Sequence, residues 1–166
     1  KKEKSTQTAN EMELVQKEEE TELNIPIKGF QKTSLLDFPS KISSIIFLGG
    51  CNLKCHYCYN PDLVFNKIAT IPIKEVLDGL LARKKYIDGV VITGGEPTLC
   101  KDLPLFIKKI KKLGLAVKLD TNGTNPAMLK ELLNEKLLDY VAMDIKAPLS
   151  KYSKLVGVNV DTKLID

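Results

Sequence analysis

No stretch of the 166 residues approaches the roughly 18 consecutive apolar residues of a membrane-spanning helix. The opening Lys1-Lys2-Glu3-Lys4 also leads into no apolar segment of the kind a secretory signal carries. The expectation is a cytoplasmic chain with no membrane partner. Aromatic residues are few, at 6%, and tryptophan is absent. The lysines Lys108, Lys109, Lys111 and Lys112 therefore stand without interleaved aromatics, which favours a solvated helix face over a nucleic-acid surface. An acidic protein partner, an electron donor included, is compatible with that surface. Cysteine is scarce too, yet three of the four cysteines fall within eight residues. That spacing suits metal ligation in a reducing compartment better than a pair of disulfides.

What is present fits one domain. A hydrophobic content of 43% in 166 residues supports a single core and hardly two. The net charge of +4 is unevenly placed: Lys1 to Asn24 holds four lysines against seven glutamates, so the remainder carries +7. With Met12, Leu14, Val15 and Leu23 as its larger apolar residues, the segment 1–24 can bury little against its ordering entropy, and is expected to be a disordered or frayed extension. Residues 25–166 are expected to form the domain.

From Ile25 onward, short β-branched runs alternate with helical periodicity, the pattern of βαβ units around a parallel sheet. The first strand is read at Ile42 to Leu48, running into Gly49-Gly50. Pro72 opens a helix with Ile73, Val76, Leu77, Leu80 and Leu81 on one stripe. Gly89 to Thr93 forms the second strand, ahead of Gly94-Gly95. Leu103, Phe106, Ile107, Ile110 and Leu113 mark a helix with lysines in its last turn and Gly114 as its stop. Ala116 to Leu119 is the third strand, Asn125-Pro126 starts a helix with Leu129, Leu132 and Leu133, and Tyr140 to Ile145 is the fourth strand. The fold class expected is α/β, a partial (β/α) barrel. Each strand is followed by unusual residues, and parallel α/β architectures bind ligands at that carboxyl end.

Cys51-Asn52-Leu53-Lys54-Cys55-His56-Tyr57-Cys58 spaces its thiols C-x3-C-x2-C, which lets three thiolates wrap one inorganic cluster. Three ligands on a [4Fe–4S] cluster leave one iron open to an external ligand, whereas structural zinc wants a fourth N or S donor. His56 or the distant Cys100 could close a zinc site; His56 lies between two ligands, and Cys100 follows another strand. Asp120 and Asn122 can form turn hydrogen bonds, and Lys146 can be a plain surface lysine. The alternative for Asp120 and Asp144 is to share a hard cation. Cys100 reads as a small apolar filler.

C-x3-C-x-aromatic-C followed by Gly94-Gly95-Glu96-Pro97 resembles the radical S-adenosylmethionine (SAM) superfamily. The resemblance implies a [4Fe–4S] cluster on Cys51, Cys55 and Cys58, with SAM on the open iron. It implies that Tyr57 packs beside the adenine and that the Gly94, Gly95, Glu96 strand end receives the SAM ammonium. Glycine there would admit close backbone approach, a carboxylate would complement a cation, and Pro97 would fix the turn. Asp120, Thr121, Asn122 and Asp144, Lys146 resemble elements that meet the SAM carboxylate and ribose. Lys28 to Pro39, Phe47 to Asn52, Val91 to Thr98, Lys118 to Thr124 and Tyr140 to Leu149 resemble, more narrowly, the anaerobic ribonucleoside-triphosphate reductase activating proteins. That implies radical transfer to a backbone glycine of a partner reductase, with flavodoxin or ferredoxin as electron donor. Two competing readings are another radical SAM branch acting on a small molecule, such as a 7-carboxy-7-deazaguanine synthase, and a non-catalytic iron–sulfur or zinc module. Such cores usually have about six βα units, and four readable strands lead to the expectation of a chain shortened at its carboxyl end.

Overall fold

The computed structural model describes residues 23–165, so the expectation for the charged extension falls almost wholly outside the described residues. Leu23 and Asn24, grouped with that extension by composition, attach to the domain. Leu23 packs against the main core, and the Asn24 amide donates to Asp102 at 2.8 Å.

Five strands form one sheet in the order of the chain: β1 (Ile27–Ser34), β2 (Ser43–Leu48), β3 (Gly89–Gly94), β4 (Ala116–Thr121) and β5 (Tyr140–Met143). From β2 to β5 neighbours are parallel, while β1 runs antiparallel to β2. The order never reverses, which is the winding of a barrel rather than of a doubly wound sheet with a switch point. The expected α/β class therefore stands, with one addition. β1 has little apolar alternation, since only its end residues Ile27 and Ser34 are buried, and irregular register on both sides of its centre hides it further.

The helices are α1 (Pro61–Val64), α2 (Ile73–Arg83), α3 (Leu103–Lys112), α4 (Pro126–Asn134) and α5 (Tyr152–Val156). Each of the long ones starts at a sequence signal. Asn125 accepts from the Met128 amide and sets α4 going, with Pro126 in its first turn. Gly114 follows α3 at φ +82°, a value L side chains rarely adopt. Alternate residues Ile46, Leu48, Val90, Ile92, Val117 and Leu119 face Val76, Leu80, Phe106, Ile107 and Ile110 to build the core. The opposite sheet face carries a smaller cluster of Phe38, Ile45 and Val91.

Three sequence expectations need correction. Leu81 and Leu133, placed on buried stripes, are half exposed, because 3.6 residues per turn rotates each away from the sheet-facing line that Leu80 and Leu132 occupy. The fourth strand stops at Met143 rather than Ile145, which is exposed. The carboxyl-terminal residues build an unforeseen cluster, in which Ala147, Tyr152, Val156 and Ile165 pack on Leu53, with Cys51 and Cys55 against it. Gly157 ends α5 at φ +71°, and a Cβ there would sit 2.5 Å from the Lys54 carbonyl oxygen. The Lys54 amide in turn donates to the Val156 carbonyl at 2.8 Å.

Candidate functional site

At the carboxyl ends of β2 to β5 lies a cavity of about 400 Å³. It is lined by Cys51, Cys55, Cys58 and Tyr57 from the loop after β2, by Gly94, Gly95 and Glu96 after β3, by Asp120, Thr121 and Asn122 after β4, and by Asp144 and Lys146 after β5. Residues separated by up to 95 positions are thus brought to one mouth. Of the sequence-predicted site residues only Pro97 is absent from the lining; it is buried at the start of a single 3-10 turn, Pro97–Leu99.

The glycines have a more particular cause than access to a ligand. The Gly95 amide donates to the Leu48 carbonyl and the Glu96 amide to the Gly50 carbonyl, each at 2.8 Å, so the ends of β2 and β3 close on each other. A Cβ on Gly95 would lie 1.9 Å from the Gly50 oxygen, and one on Gly94, at φ +125°, 2.2 Å from the Leu48 oxygen. The close approach that requires glycine is between two backbone strands.

Glu96 is 2% exposed and its carboxylate is fully engaged within the chain. Its Oε1 accepts from the Thr98 amide (3.1 Å), the Thr98 hydroxyl (2.5 Å) and the Thr121 hydroxyl (2.7 Å), and its Oε2 accepts from the Asn122 amide (2.7 Å). The sequence reading aimed this carboxylate at an external cation; the structure uses it to tie the β3 end to the β4 end. Four hydrogen bonds are what a buried carboxylate needs to offset its desolvation.

Asn122, thus held, sends Nδ2 to the Asn52 side-chain oxygen (3.0 Å) and towards the Cys51 sulfur (3.9 Å). Asn52 Nδ2 donates onward to the Thr124 hydroxyl at 2.7 Å, and Thr124 Oγ1 to Asn122 Oδ1 at 2.6 Å. The Leu53 amide also donates to Cys51 Sγ at 3.4 Å. Asn52, Thr98 and Tyr152 were not marked as site residues in the sequence, and the signal available was only their position inside or beside the motifs.

Tyr57 donates its hydroxyl to the Lys146 carbonyl at 2.5 Å, while the Lys146 amide donates to the Tyr152 hydroxyl at 3.3 Å. Desolvation first, and the neighbouring Cys55 next, hold the Tyr57 hydroxyl above its ordinary pKa. Burial alone would lower the Lys146 ammonium, but its hydrogen bond to Asp144 (2.8 Å) outweighs that and raises it. Burial also lifts the Cys51 thiol, with Glu96, Cys55 and Cys58 adding to the rise against the lowering effect of the Leu53 amide. An anionic sulfur at this position wants a cationic counterpart.

The donor set fits an iron–sulfur cluster. Three soft thiols enclose one cavity, and amide donors from Leu53 and Asn122 stand behind Cys51 as hydrogen bonds to a ligating sulfur do. Among the described residues no three His, Cys, Asp or Glu side chains converge on a point fit for one metal ion. The cysteines surround a volume instead. Cys100, the distant zinc donor considered above, packs at the edge of the main core with its sulfur 3.5 Å from the Asn24 carbonyl, and it does not line the cavity. No helix among the described residues is long and apolar enough to cross a membrane.

A thiol-walled cavity at the carboxyl ends of parallel strands wound in barrel order defines a class of cofactor-binding α/β proteins. Residues 45–164 match the Radical SAM superfamily, and the chain belongs to that superfamily. It is 40% identical over 136 residues to a protein of Methanocaldococcus jannaschii that carries the provisional name of a glycyl-radical enzyme activating enzyme, a match covering 81% of this chain and 56% of the relative. It is 35% identical over 127 residues to the pyruvate formate-lyase-activating enzyme of Clostridium pasteurianum, covering 72% and 52%. A 7-carboxy-7-deazaguanine synthase of Methanospirillum hungatei is 34% identical over 122 residues, covering 73% and 49%. The chain spans about half the length of these curated relatives. Among solved structures, QueE from Escherichia coli aligns with 60% of this chain and 53% of its own at 25% identity and a TM-score of 0.47.

Proposed function

We propose that the chain is the cluster- and SAM-holding core of a glycyl-radical-enzyme activating enzyme, and that its target is an anaerobic ribonucleoside-triphosphate reductase. The observation that carries this is the convergence of four strand ends and three cysteines on one cavity. Cys51, Cys55 and Cys58 would hold a [4Fe–4S] cluster, leaving one iron for the amino and carboxylate groups of SAM. When bound, the pair supplies an electron that cleaves the sulfonium reductively and yields a 5′-deoxyadenosyl radical. The chain's residues bind, orient and shelter. With Glu96 saturated, the SAM ammonium falls to the backbone at Gly94 and Gly95, and Asp120, Asn122, Asp144 and Lys146 are the polar groups left for its carboxylate and ribose. Tyr57, fixed by its hydroxyl, offers a ring face for the adenine.

Activating enzymes among the relatives support the glycyl-radical reading, and the finer resemblance of Lys118 to Thr124 and Tyr140 to Leu149 supports the reductase as partner. Flavodoxin or ferredoxin would donate the electron. A second reading, a synthase acting on a small molecule as 7-carboxy-7-deazaguanine synthase does, is favoured by the similarity to that protein. The test is anaerobic reconstitution, reduction with dithionite and assay of 5′-deoxyadenosine, with and without an anaerobic reductase whose glycyl radical is followed by electron paramagnetic resonance. Product together with the partner's radical is expected. Product without it would favour the small-molecule reading, and no product from a cluster-loaded, SAM-exposed chain would sink both.

A further inference from the structure

Two carboxylates at the cavity, Asp120 and Asp144, are each held by a lysine two residues away. Lys118 Nζ lies 2.6 Å from Asp120 Oδ1, and Lys146 Nζ lies 2.8 Å from Asp144 Oδ2. The two pairs differ in kind. Lys146 lines the cavity, whereas Lys118 does not. Lys118 is 8% exposed, on the sheet face away from the helices, in register with Val91 of β3 and Tyr140 of β5. Its ammonium stands 6.0 Å from the Tyr140 ring.

Burying an ammonium among such neighbours is unfavourable unless a carboxylate compensates it, and Asp120 is its ion-pair partner among the described residues. A lysine placed to serve the core alone would sit better as an aliphatic residue, as Ile45 and Val91 do on this face. Asp120 keeps its second oxygen without a hydrogen-bond partner among the described residues. A carboxylate anchored from behind by one oxygen and open at the other is arranged to receive a ligand.

SAM carries a carboxylate beside its ammonium, and in this cavity that carboxylate would meet Asp120, Asp144 and three cysteine sulfurs. Like charges at such range repel unless a cation lies between or beside them, a service that hard metal ions commonly perform for carboxylates. We propose that Lys118 is a positioning residue that stands in for such a metal ion, so that SAM binds this chain without an added monovalent or divalent cation. The inference rests on the SAM reading above and deepens it.

The experiment measures SAM dissociation constants by equilibrium dialysis on the full chain, reconstituted anaerobically, in tetramethylammonium buffer with and without potassium or magnesium chloride. For the unaltered chain the constant should change by less than about twofold on adding either salt. Lys118→Met should weaken SAM by roughly tenfold or more in the metal-free buffer, the scale of one lost charge-assisted hydrogen bond, and either salt should restore most of it. Lys118→Arg, which keeps the charge, should stay near the original affinity. The double change Lys118→Met with Asp120→Asn should lose the salt response, because no unpaired carboxylate remains to bridge. Circular dichroism of each variant reports whether it is folded, and the arginine and double variants keep the test decisive if the methionine variant is not.

A salt requirement in the unaltered chain overturns the proposal, as does Lys118→Met binding SAM undiminished. Weakening that neither arginine nor salt repairs makes Lys118 a structural residue and overturns it too. Absence of SAM binding by the unaltered, cluster-loaded chain in every buffer overturns the SAM reading itself, and is distinguishable from all of these.

Discussion

The floor of the site and its wall are built in opposite ways. The floor, where β3 and β4 end, ties Glu96 to Thr98, Thr121 and Asn122 by four buried hydrogen bonds and presses Gly94 and Gly95 against the β2 backbone. The wall, residues 51–58, has one turn hydrogen bond of its own, from the Cys58 amide to the Cys55 carbonyl, and otherwise leans on braces reached from elsewhere. Those braces are the Val156 carbonyl, the Lys146 carbonyl and Asn122. The floor is complete as protein alone, while the wall is completed by what its three cysteines hold.

That contrast can be broken at several points, and the effects should fall in a definite order. Gly95→Ala should be the most damaging, since its Cβ would lie 1.9 Å from a backbone oxygen that has no side-chain freedom to yield. A loss of roughly 4 kcal/mol or more in urea unfolding is expected. A well-folded, near-native Gly95→Ala chain would show that the strand ends can part freely.

Glu96→Ala comes next. It strands the Thr98 and Asn122 amides and two threonine hydroxyls below the surface, and should cost roughly 3–5 kcal/mol, with or without metal. Should iron and SAM fully rescue it, Glu96 would be acting on the ligand and not on the floor.

Tyr57→Phe removes one hydroxyl donor to the Lys146 carbonyl. About 1 kcal/mol is expected in the metal-free chain. A loss several times larger would mean that the wall is far more self-supporting than its hydrogen bonds indicate.

Asp139→Asn probes a clasp remote from the site, where Oδ2 accepts from Lys111 Nζ and the Val117 amide, each at 2.7 Å. Burial would raise this carboxyl, but the Lys111 and Val117 hydrogen bonds outweigh it and leave the pKa below the ordinary 3.8. A depressed folded-state pKa stabilises the fold at pH values above 3.8, and the contribution disappears as pH falls through the folded value. With the pair more than a third exposed on average, screening limits the loss on substitution to about 1 kcal/mol or less near neutrality. The wild-type and variant unfolding curves should converge in strong acid. Cys58→Ala should be smallest of all in the metal-free chain, below about 0.5 kcal/mol, while abolishing the visible absorption of the reconstituted cluster. Measurable unfolding from that change alone would contradict the picture of a wall completed by its cargo.

Much of this was legible in the sequence, for reasons that also explain what was not. β2, β3 and β4 showed because parallel strands buried on both faces read as β-branched runs. α3 showed because apolar spacing, last-turn lysines and Gly114 all agree. β1 stayed hidden because an edge strand with few buried positions lacks that pattern. The cavity's membership was legible because chemistry-bearing motifs followed every strand. Glu96's inward task was not, since its partners include residues 25 and 26 positions away and nothing local marks them. The packing of Tyr152 and Val156 on Leu53 was equally hidden, α5 being too short for periodicity to declare a face.

The central claim, that Cys51, Cys55 and Cys58 hold a four-iron cluster with one iron left open for SAM, is tested most directly by electron paramagnetic resonance of the anaerobically reconstituted, dithionite-reduced chain before and after SAM is added. The account predicts about four irons per chain and a cluster signal that shifts on adding SAM, both lost in Cys58→Ala and both retained in Cys100→Ala. A signal indifferent to SAM, or a cluster that survives Cys58→Ala and disappears in Cys100→Ala, would contradict it.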